Sequence, residues 1–389
     1  MTHRVCVLTT SRADYGIYRS VLAWLDAEPE IELVLAVGGM HLSEAHGSSV
    51  ERIAADGYRI GARVEAMPAD DSDLAVADAM AGGVAGFARA FAEIAPDIVV
   101  ALGDRYEMHA GVLAALPLGL PVAHIHGGDE TEGAIDNSLR HSMTKLSHLH
   151  FPATELARER ILLMGEPPGR VVRVGAPALD AIAATDIMPR AELLASVGMA
   201  DTPFLLLTYH PETADGADPV PTFDALWPAI RDAGLPVLAS MSNADRGGAE
   251  LNARFAEVAA QDDAFTLVPN LGAHRYYSAM AHAEAMVGNS SSGIVEAASL
   301  GLPVINIGDR QLGRERSANT LDVPSDAEAL REALRTVLTP GHKASLAGVE
   351  NIYGDGRAAP RIGAALVGFL RDSPGIRKRF HMSCRPESA

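Results

Sequence analysis

Short runs of consecutive apolar residues alternate along this chain with stretches whose apolar positions recur every three to four residues. The first pattern marks strands buried on both faces of a parallel sheet, and the second marks amphipathic helices. The alternation opens with a strand at Arg4–Thr10, a helix at Gly16–Ala27 and a strand at Ile31–Val37 closed by Gly38-Gly39. It continues with a helix near Val50–Asp56, a short strand at Arg59–Val64, and a helix over Asp73–Ile94 that contains Gly82, Gly83 and Gly86. Strands follow at Asp97–Leu102, Pro121–Ile125, His148–Phe151 and Arg170–Val174, separated by helices at His109–Leu116, Ile135–Leu146 and Glu155–Met164. That order predicts a doubly wound α/β domain over residues 1–180.

Gly175–Arg190, rich in Gly, Pro and polar residues, reads as a linker, after which the pattern restarts. Helices are predicted at Ala191–Val197, Phe223–Ala233, Ala249–Ala260, Tyr276–His282 and Gly293–Leu300. Strands are predicted at Phe204–Tyr209, Leu235–Ser240, Phe265–Val268, Ala285–Val287 and Pro303–Ile307, before terminal helices at Asp326–Leu338 and Arg361–Arg371. The second domain therefore spans 190–372, with its last helix able to pack back on the first domain, and 373–389 forms a loose basic tail. Two similar halves in succession predict an α/β protein of two Rossmann-like doubly wound domains facing a cleft.

Composition narrows the class. A chain of 389 residues exceeds one ordinary core, and 48% apolar content suffices to bury two. No run of eighteen apolar residues occurs, so no membrane partner is expected. The N-terminus reads as a first strand rather than a signal peptide. Cys6 and Cys384 are far apart and give no disulfide or zinc-ribbon spacing, which suits a reducing cytoplasm. A net charge of −18 argues against nucleic acid and anionic membranes. An anionic small substrate is compatible with that charge if arginine is concentrated at the site.

Candidate chemistry gathers at strand ends. The stretch His124–Lys145, HIHGGDETEGAIDNSLRHSMTK, packs the carboxylates Asp129, Glu130, Glu132 and Asp136 and the histidines His124, His126 and His141 into one strand-to-helix loop. One β-α unit earlier, Gly103-Asp104-Arg105 follows a fully apolar strand. Adjacent strands would join the two loops, and a carboxyl at a buried strand end is a reasonable general acid/base. An N-cap role for Asp104 competes with that reading and is compatible with it. The first turn, Thr9 to Gly16, lacks the GxGxxG fingerprint, so no dinucleotide is inferred. Arg12 in that turn would meet a phosphate, or the turn is an ordinary cap at Asp14.

His124 and His126 are two apart on a strand and are expected to project on one face, as a metal pair would. Further ligands would have to come from His150, His210 or Asp129, and no compact second ligand pair is present. A metal-dependent hydrolase built on His124 and His126 is thus the competing reading from another class. In the second half, Gly288-Asn289-Ser290-Ser291-Ser292-Gly293 runs from strand into helix, where small residues, hydroxyls and N–H groups suit a phosphate. Glu296 would accept from ribose hydroxyls, and Arg310, Arg314 and Arg316 form a local cationic patch.

The motifs SRADYG (11–16), GDRYE (103–107), HIHGGDETEGAID (124–136), RHSMTKLSHLHF (140–151), YHPET (209–213), GNSSSG (288–293) and INIGDRQLGR (305–314) together resemble the hydrolysing UDP-N-acetylglucosamine 2-epimerases of sialic acid biosynthesis. The resemblance runs from about Val5 to Pro324 and implies the glycosyltransferase-B architecture. It also implies a homodimer or homotetramer in the cytoplasm, and no cofactor. The implied reaction converts UDP-N-acetylglucosamine and water to N-acetylmannosamine and UDP, by elimination to a 2-acetamidoglucal and rehydration. The same reaction on a UDP- or GDP-diacetamido-trideoxyhexose, as in the legionaminic acid pathway, is the alternative. By resemblance, Asp104 and Asp136 are acid/base carboxylates and His210 assists departure of the diphosphate. Arg12, His41, Arg105, His124, Asn289, Ser290, Ser291, Glu296 and Arg310 bind the substrate. This chain departs from the family pattern at His126, where many members carry a glutamate, at Asp129, normally Glu, and at Asn137, where a second acid is common. His126, with Asp129 beside it, is expected to replace the missing carboxylate.

Overall fold

The structure is a computed structural model. It describes residues 2–43, 48–70, 72–131, 135–212, 218–242, 247–372 and 376–382. The chain divides into two compact units, Met1–Ala181 with Tyr353–Ala389, and Ile182–Ile352.

The first unit holds β1 (His3–Thr9), β2 (Ile31–Gly38), β3 (Ile60–Val64), β4 (Ile98–Leu102), β5 (Val122–Ile125) and β6 (Leu149–Phe151). All pair in parallel, in the order β3-β2-β1-β4-β5-β6. The second unit holds β7 (Leu205–Thr208), β8 (Val237–Ser240), β9 (Phe265–Val268), β10 (Ala285–Gly288), β11 (Val304–Ile307) and β12 (Thr320–Val323), again all parallel, in the order β12-β11-β10-β7-β8-β9. Counted from its own first strand, each sheet has the doubly wound order 3-2-1-4-5-6.

The apolar runs form central strands because both faces are covered. Along β1, Val5 and Val7 enter the core shared with Tyr18, Leu22 and Leu366. Cys6 and Leu8 enter the opposite core with Phe87, Phe91 and Met108. Burial pushes the Cys6 thiol up to about 12, so it is a packing group rather than a nucleophile. The helix Asp73–Ile94 is long and apolar enough by composition to cross a membrane, but it buries Phe87, Phe91 and Ile94 against the sheet.

Several predicted elements change. Arg170–Val174 is not a strand: a 3₁₀ turn at Pro168–Arg170 consumes its start, and only Val171 forms an isolated bridge, to His150. Pro167 and Pro168 impose that turn. β12 was not expected; its TLDV sequence is short and mostly polar-facing, as an edge strand tolerates. The first helix begins at Arg12, a turn before its apolar pattern, because Ser11 and Asp14 form a capping box. The predicted helix Gly293–Leu300 is a five-residue helix, Ser291–Val295, followed by a 3₁₀ turn, Ala297–Leu300.

The predicted linker contains a helix, Ala178–Ala183, and its Asp180 caps the last helix by accepting from the N–H groups of Ala358 and Ala359 at 2.8 and 2.7 Å. That last helix, Ala358–Asp372, belongs to the first unit. It packs so closely on the helix Arg12–Ala27 that a Cβ at Gly363 would lie 2.0 Å from the Trp24 ring. The described part of the tail, Ile376–Met382, also bonds to the first unit, through His148 and Gly165.

Gly363→Val must push the two helices apart, and such overpacking costs about 1–3 kcal/mol. Thermal unfolding followed by Trp24 fluorescence in a Trp227→Phe background should show a lowered midpoint. An unchanged midpoint would mean that the close approach does not constrain the unit.

Candidate active site

In each sheet the strand order reverses beside the first strand of the unit, the place where open α/β sheets bind ligands. In the first unit that point lies between β1 and β4, with β5 alongside. Gly103 N–H donates to Ile125 O at 3.0 Å, so the loops carrying Asp104 and His126 leave adjacent strands at the same level.

Arg140 holds these loops together. It stands on the helix Ile135–Leu146 and is buried. Its guanidinium ion-pairs with Asp104. It donates to the Asp129 carbonyl at 2.7 Å, to Asn137 Oδ1 at 3.1 Å and to Thr131 Oγ1 at 3.0 Å. Asp136, one turn earlier on the same helix, is partly buried, and its carboxyl is pushed up by burial and then by the Asp104 charge, against Arg105 and Arg140. The two carboxyls therefore interact electrostatically but sit in different surroundings, since of the two only Asp104 has the ion pair with Arg140. Sequence reasoning quoted Arg140 within a motif but gave it no role; its place four residues after Asp136, on the same helix face, was the available signal.

Arg105 is gripped by Glu107, a fully buried carboxylate also missed from sequence, through bonds of 3.1 and 3.0 Å. Burial works against the Arg105 charge, but Glu107 holds its pKa above the ordinary arginine value. Arg12 is exposed on the first residue of its helix. Beneath it, buried Asp14 accepts from Thr10 N–H at 3.1 Å, Thr10 Oγ1 at 3.0 Å, and the backbone and hydroxyl of Ser11 at 2.8 and 2.9 Å. Burial raises its pKa, and those donors oppose the rise.

The two histidines of the expected metal pair part company. His124, on β5, is fully buried, with Nε2 donating to Gly103 O at 2.7 Å and Nδ1 3.3 Å from Thr144 Oγ1. The carbonyl can only accept, which assigns the Nε2–H tautomer. Burial drives its pKa down to about 3, so the ring is neutral. His126 lies just beyond β5 at φ 62°, so it leaves the strand register and does not share a face with His124. A residue other than glycine in this left-handed conformation is uncommon, and such positions collect at functional sites. His126 Nδ1 meets Asp129 Oδ2 at 3.0 Å. Among the described residues no group of three His, Cys, Asp or Glu side chains is arranged to hold a metal ion.

His41 is buried, with Nε2 2.9 Å from Thr9 Oγ1 and Nδ1 2.7 Å from Ser49 Oγ, and burial lowers its pKa to about 4. His41 and His124, expected to bind substrate, are both fully buried with both ring nitrogens within hydrogen-bond distance of protein oxygens. Glu130 is bonded by Asn137 Nδ2 at 2.8 Å and by His141 at 2.9 Å. An acid at position 137 could not donate that first bond. Glu132 lies outside the described residues.

In the second unit the reversal lies between β7 and β10. Gly288 ends β10 at φ 139°, and a Cβ there would lie 2.0 Å from Thr208 O, so only glycine lets the strand ends approach this closely. Asn289 is buried, and its amide accepts from His210 N–H and donates to His210 O, both at 2.8 Å. It ties the His210 backbone to the end of β10. Gln311 Nε2 donates to Asn289 O at 2.9 Å, with Arg310 Nη1 at 3.4 Å from the same carbonyl. His210 Nδ1 is 3.3 Å from Ser242 Oγ. Ser290 caps the short helix through Ser292 N–H, and Ser291 opens it. Arg316 is taken up by Asp322 and by the carbonyls of Arg314 and Gln311, so it is not part of an open cationic patch. Glu296 is partly buried, and burial raises its pKa to about 7 against a bond from Ser292.

The sign of the Glu296 effect is testable. Between its ordinary value of 4.5 and about 7 the folded chain holds this proton more tightly than the unfolded chain, so its contribution to stability falls as pH rises through that window. Glu296→Gln should nearly match the native chain in thermal midpoint near pH 5, gain on it up to about pH 7 and hold that gain to pH 8 in ligand-free scans. A constant offset would contradict the assignment.

The model of the UDP-N-acetylglucosamine 2-epimerase family matches residues 23–367. A Legionella pneumophila protein named UDP-N,N'-diacetylbacillosamine 2-epimerase (hydrolyzing) is 36% identical over 93% of this chain and 94% of its own. A Campylobacter jejuni protein named GDP/UDP-N,N'-diacetylbacillosamine 2-epimerase (hydrolyzing) is 33% identical over 82% and 84%. The crystal structure of the Neisseria meningitidis UDP-GlcNAc 2-epimerase bound to UDP-GlcNAc superposes with a TM-score of 0.79 at 18% identity, covering 94% of this chain and 100% of that one, a likeness of fold. With two Rossmann-like units of identical strand order in the glycosyltransferase-B class, and with this span of sequence similarity, the chain belongs to the UDP-N-acetylglucosamine 2-epimerase family.

Proposed function

We propose that this protein is a hydrolysing 2-epimerase of a UDP-linked 2-acetamido sugar, with UDP-N,N'-diacetylbacillosamine as its preferred substrate. The observation that carries the reaction class is the unequal carboxylate pair at the first unit's strand reversal. Asp104 is ion-paired with Arg140, while burial and the Asp104 charge raise the Asp136 carboxyl. Two carboxyls in one site with differing environments are the usual means of dividing base and acid roles.

In this reading Asp104 removes the C2 proton as the C1–oxygen bond to UDP breaks, leaving a 2-acetamidoglycal and free UDP. Water then adds its hydroxyl to C1, and Asp136 delivers a proton to the opposite face of C2, giving the free epimerised sugar. The sequence is redox-neutral. On the first unit Arg12 and Arg105 supply positive charge for an anionic substrate; on the second, Arg310 supplies positive charge for a diphosphate, Ser290 and Ser291 supply hydroxyls, and Glu296 accepts from ribose. His210 assists departure of the diphosphate. His126, oriented by Asp129 at 3.0 Å, activates the water, as a carboxylate-held imidazole commonly does.

The names of the Legionella and Campylobacter relatives support the diacetamido substrate. UDP-N-acetylglucosamine, expected first from the motifs, becomes the second reading, favoured by the family model's description.

Each nucleotide sugar, including the GDP-linked diacetamido form, would be incubated with the protein in deuterated water with chelator and followed by proton NMR. Free epimerised sugar carrying deuterium at C2, together with UDP, is the expected product. Release of an intact epimerised nucleotide sugar would overturn the hydrolysing assignment. Faster turnover of UDP-N-acetylglucosamine than of the diacetamido sugar would reverse the order of substrates. In the same assay His126→Asn should lose about 10²–10⁴-fold in turnover, the usual weight of a general acid/base. Full activity in that variant would remove His126 from the mechanism.

A further inference from the structure

The described tail, Ile376–Met382, is not loose. His148 is buried, and burial lowers its pKa to about 4, so its ring is neutral. Its Nε2 donates to Ile376 O at 3.1 Å while Nδ1 accepts from Val122 N–H at 3.3 Å. His381 N–H donates to Gly165 O at 2.8 Å. The Phe380 ring covers Gly165, where a Cβ would fall 2.4 Å from it, and lies 5.1 Å from Lys145 Nζ.

Lys378 sits between these anchors. Its ammonium lies 2.7 Å from Glu166 Oε2 and donates to the carbonyls of Lys145 and Ser147 at 2.7 and 2.6 Å, with Thr144 O at 3.3 Å. Those carbonyls lie at the C-terminal end of the helix Ile135–Leu146, where Thr144 O also accepts from Ser147 N–H at 3.2 Å and the helix dipole favours a cation. Glu166 is fully buried and is bonded by Lys145 and His150 as well. Burial works to raise its pKa, but the three donors hold it at about 2.

The helix that Lys378 caps carries Asp136 and Arg140 near its other end. Thr144 of the same helix touches His124, whose Nε2 bonds Gly103, the residue before Asp104. These contacts link the capped end of the helix to the strand end that carries Asp104, and the helix itself carries Asp136.

We infer that Lys378 is a positioning residue: the segment Ile376–Met382 is a strap that fixes the C-terminal end of helix Ile135–Leu146 and so sets Asp136 and Arg140 against Asp104. The catalytic half of this inference rests on the proposed epimerase reading; the mechanical half does not. Lys378→Met leaves Glu166 its bonds from Lys145 and His150, so no buried carboxylate loses all its partners.

The test is hydrogen–deuterium exchange on the full chain, with turnover measured on the same samples. Lys378→Met should speed exchange in residues 135–146 on the order of tenfold, the size of a lost helix-end charge interaction at its upper range, and leave the other strands of the unit unchanged. It should lower kcat by a similar factor with KM nearly constant, and Lys378→Arg should recover both. Unchanged exchange in 135–146, exchange raised evenly across the unit, or an unchanged kcat beside faster helix exchange would each overturn the inference. If the native chain turns over none of these nucleotide sugars, the epimerase reading falls, while the exchange comparison still decides whether the strap holds the helix.

Discussion

A buried guanidinium must be paired on most of its donors, or the fold loses several kcal/mol. Arg140 meets that demand with oxygens from separate segments: the carboxylate of Asp104, the carbonyl of Asp129, and the side chains of Thr131 and Asn137. The planar fork of arginine reaches all four at once, which a lysine could not do with the same geometry. Three pieces of chain, from the end of β4, the loop after β5 and the following helix, are thereby fixed as one object. The proposed division between Asp104 and Asp136 depends on it, because Arg140 pairs with the first and stands near the second.

The two units use one topology for different chemistry. Both put short loops beside the reversal of strand order. In the first unit those loops are rich in carboxylates and histidines, and in the second they are rich in serine, asparagine and arginine. The scaffold under each is apolar on both sheet faces and contributes position only. Buried polar residues position these loops. Asn289 ties the His210 backbone to β10, and His124 carries order from the helix Ile135–Leu146 to the strand end before Asp104.

The architecture was legible because consecutive apolar residues at β1, β4, β7 and β10 admit little besides buried parallel strands. Edge elements were not: β12 is too short and polar, and Arg170–Val174 loses its strand to two prolines. Strand-end loops holding the candidate chemistry were legible from composition and spacing. The work done by each residue inside them was not, since it depends on hydrogen bonds across the sheet. His41, His124 and Asn289 read as ligand contacts, and the structure shows them buried and hydrogen-bonded within the protein. His126 reads as a partner of His124 until its positive φ turns it aside. Arg140 has no role in the sequence reading, because the oxygens it gathers come from three separate segments.

The central claim is that Asp104 and Arg140 act as a unit in proton transfer at C2. A double-mutant cycle with Asp104→Asn, Arg140→Met and the combined variant, scored by the rate at which free sugar carrying deuterium at C2 appears in deuterated water, tests it most directly. The account predicts that each single change is severe and that the double variant is hardly worse than the worse single, a coupling above about 1 kcal/mol. Losses that simply multiply would show two independent residues and contradict the account.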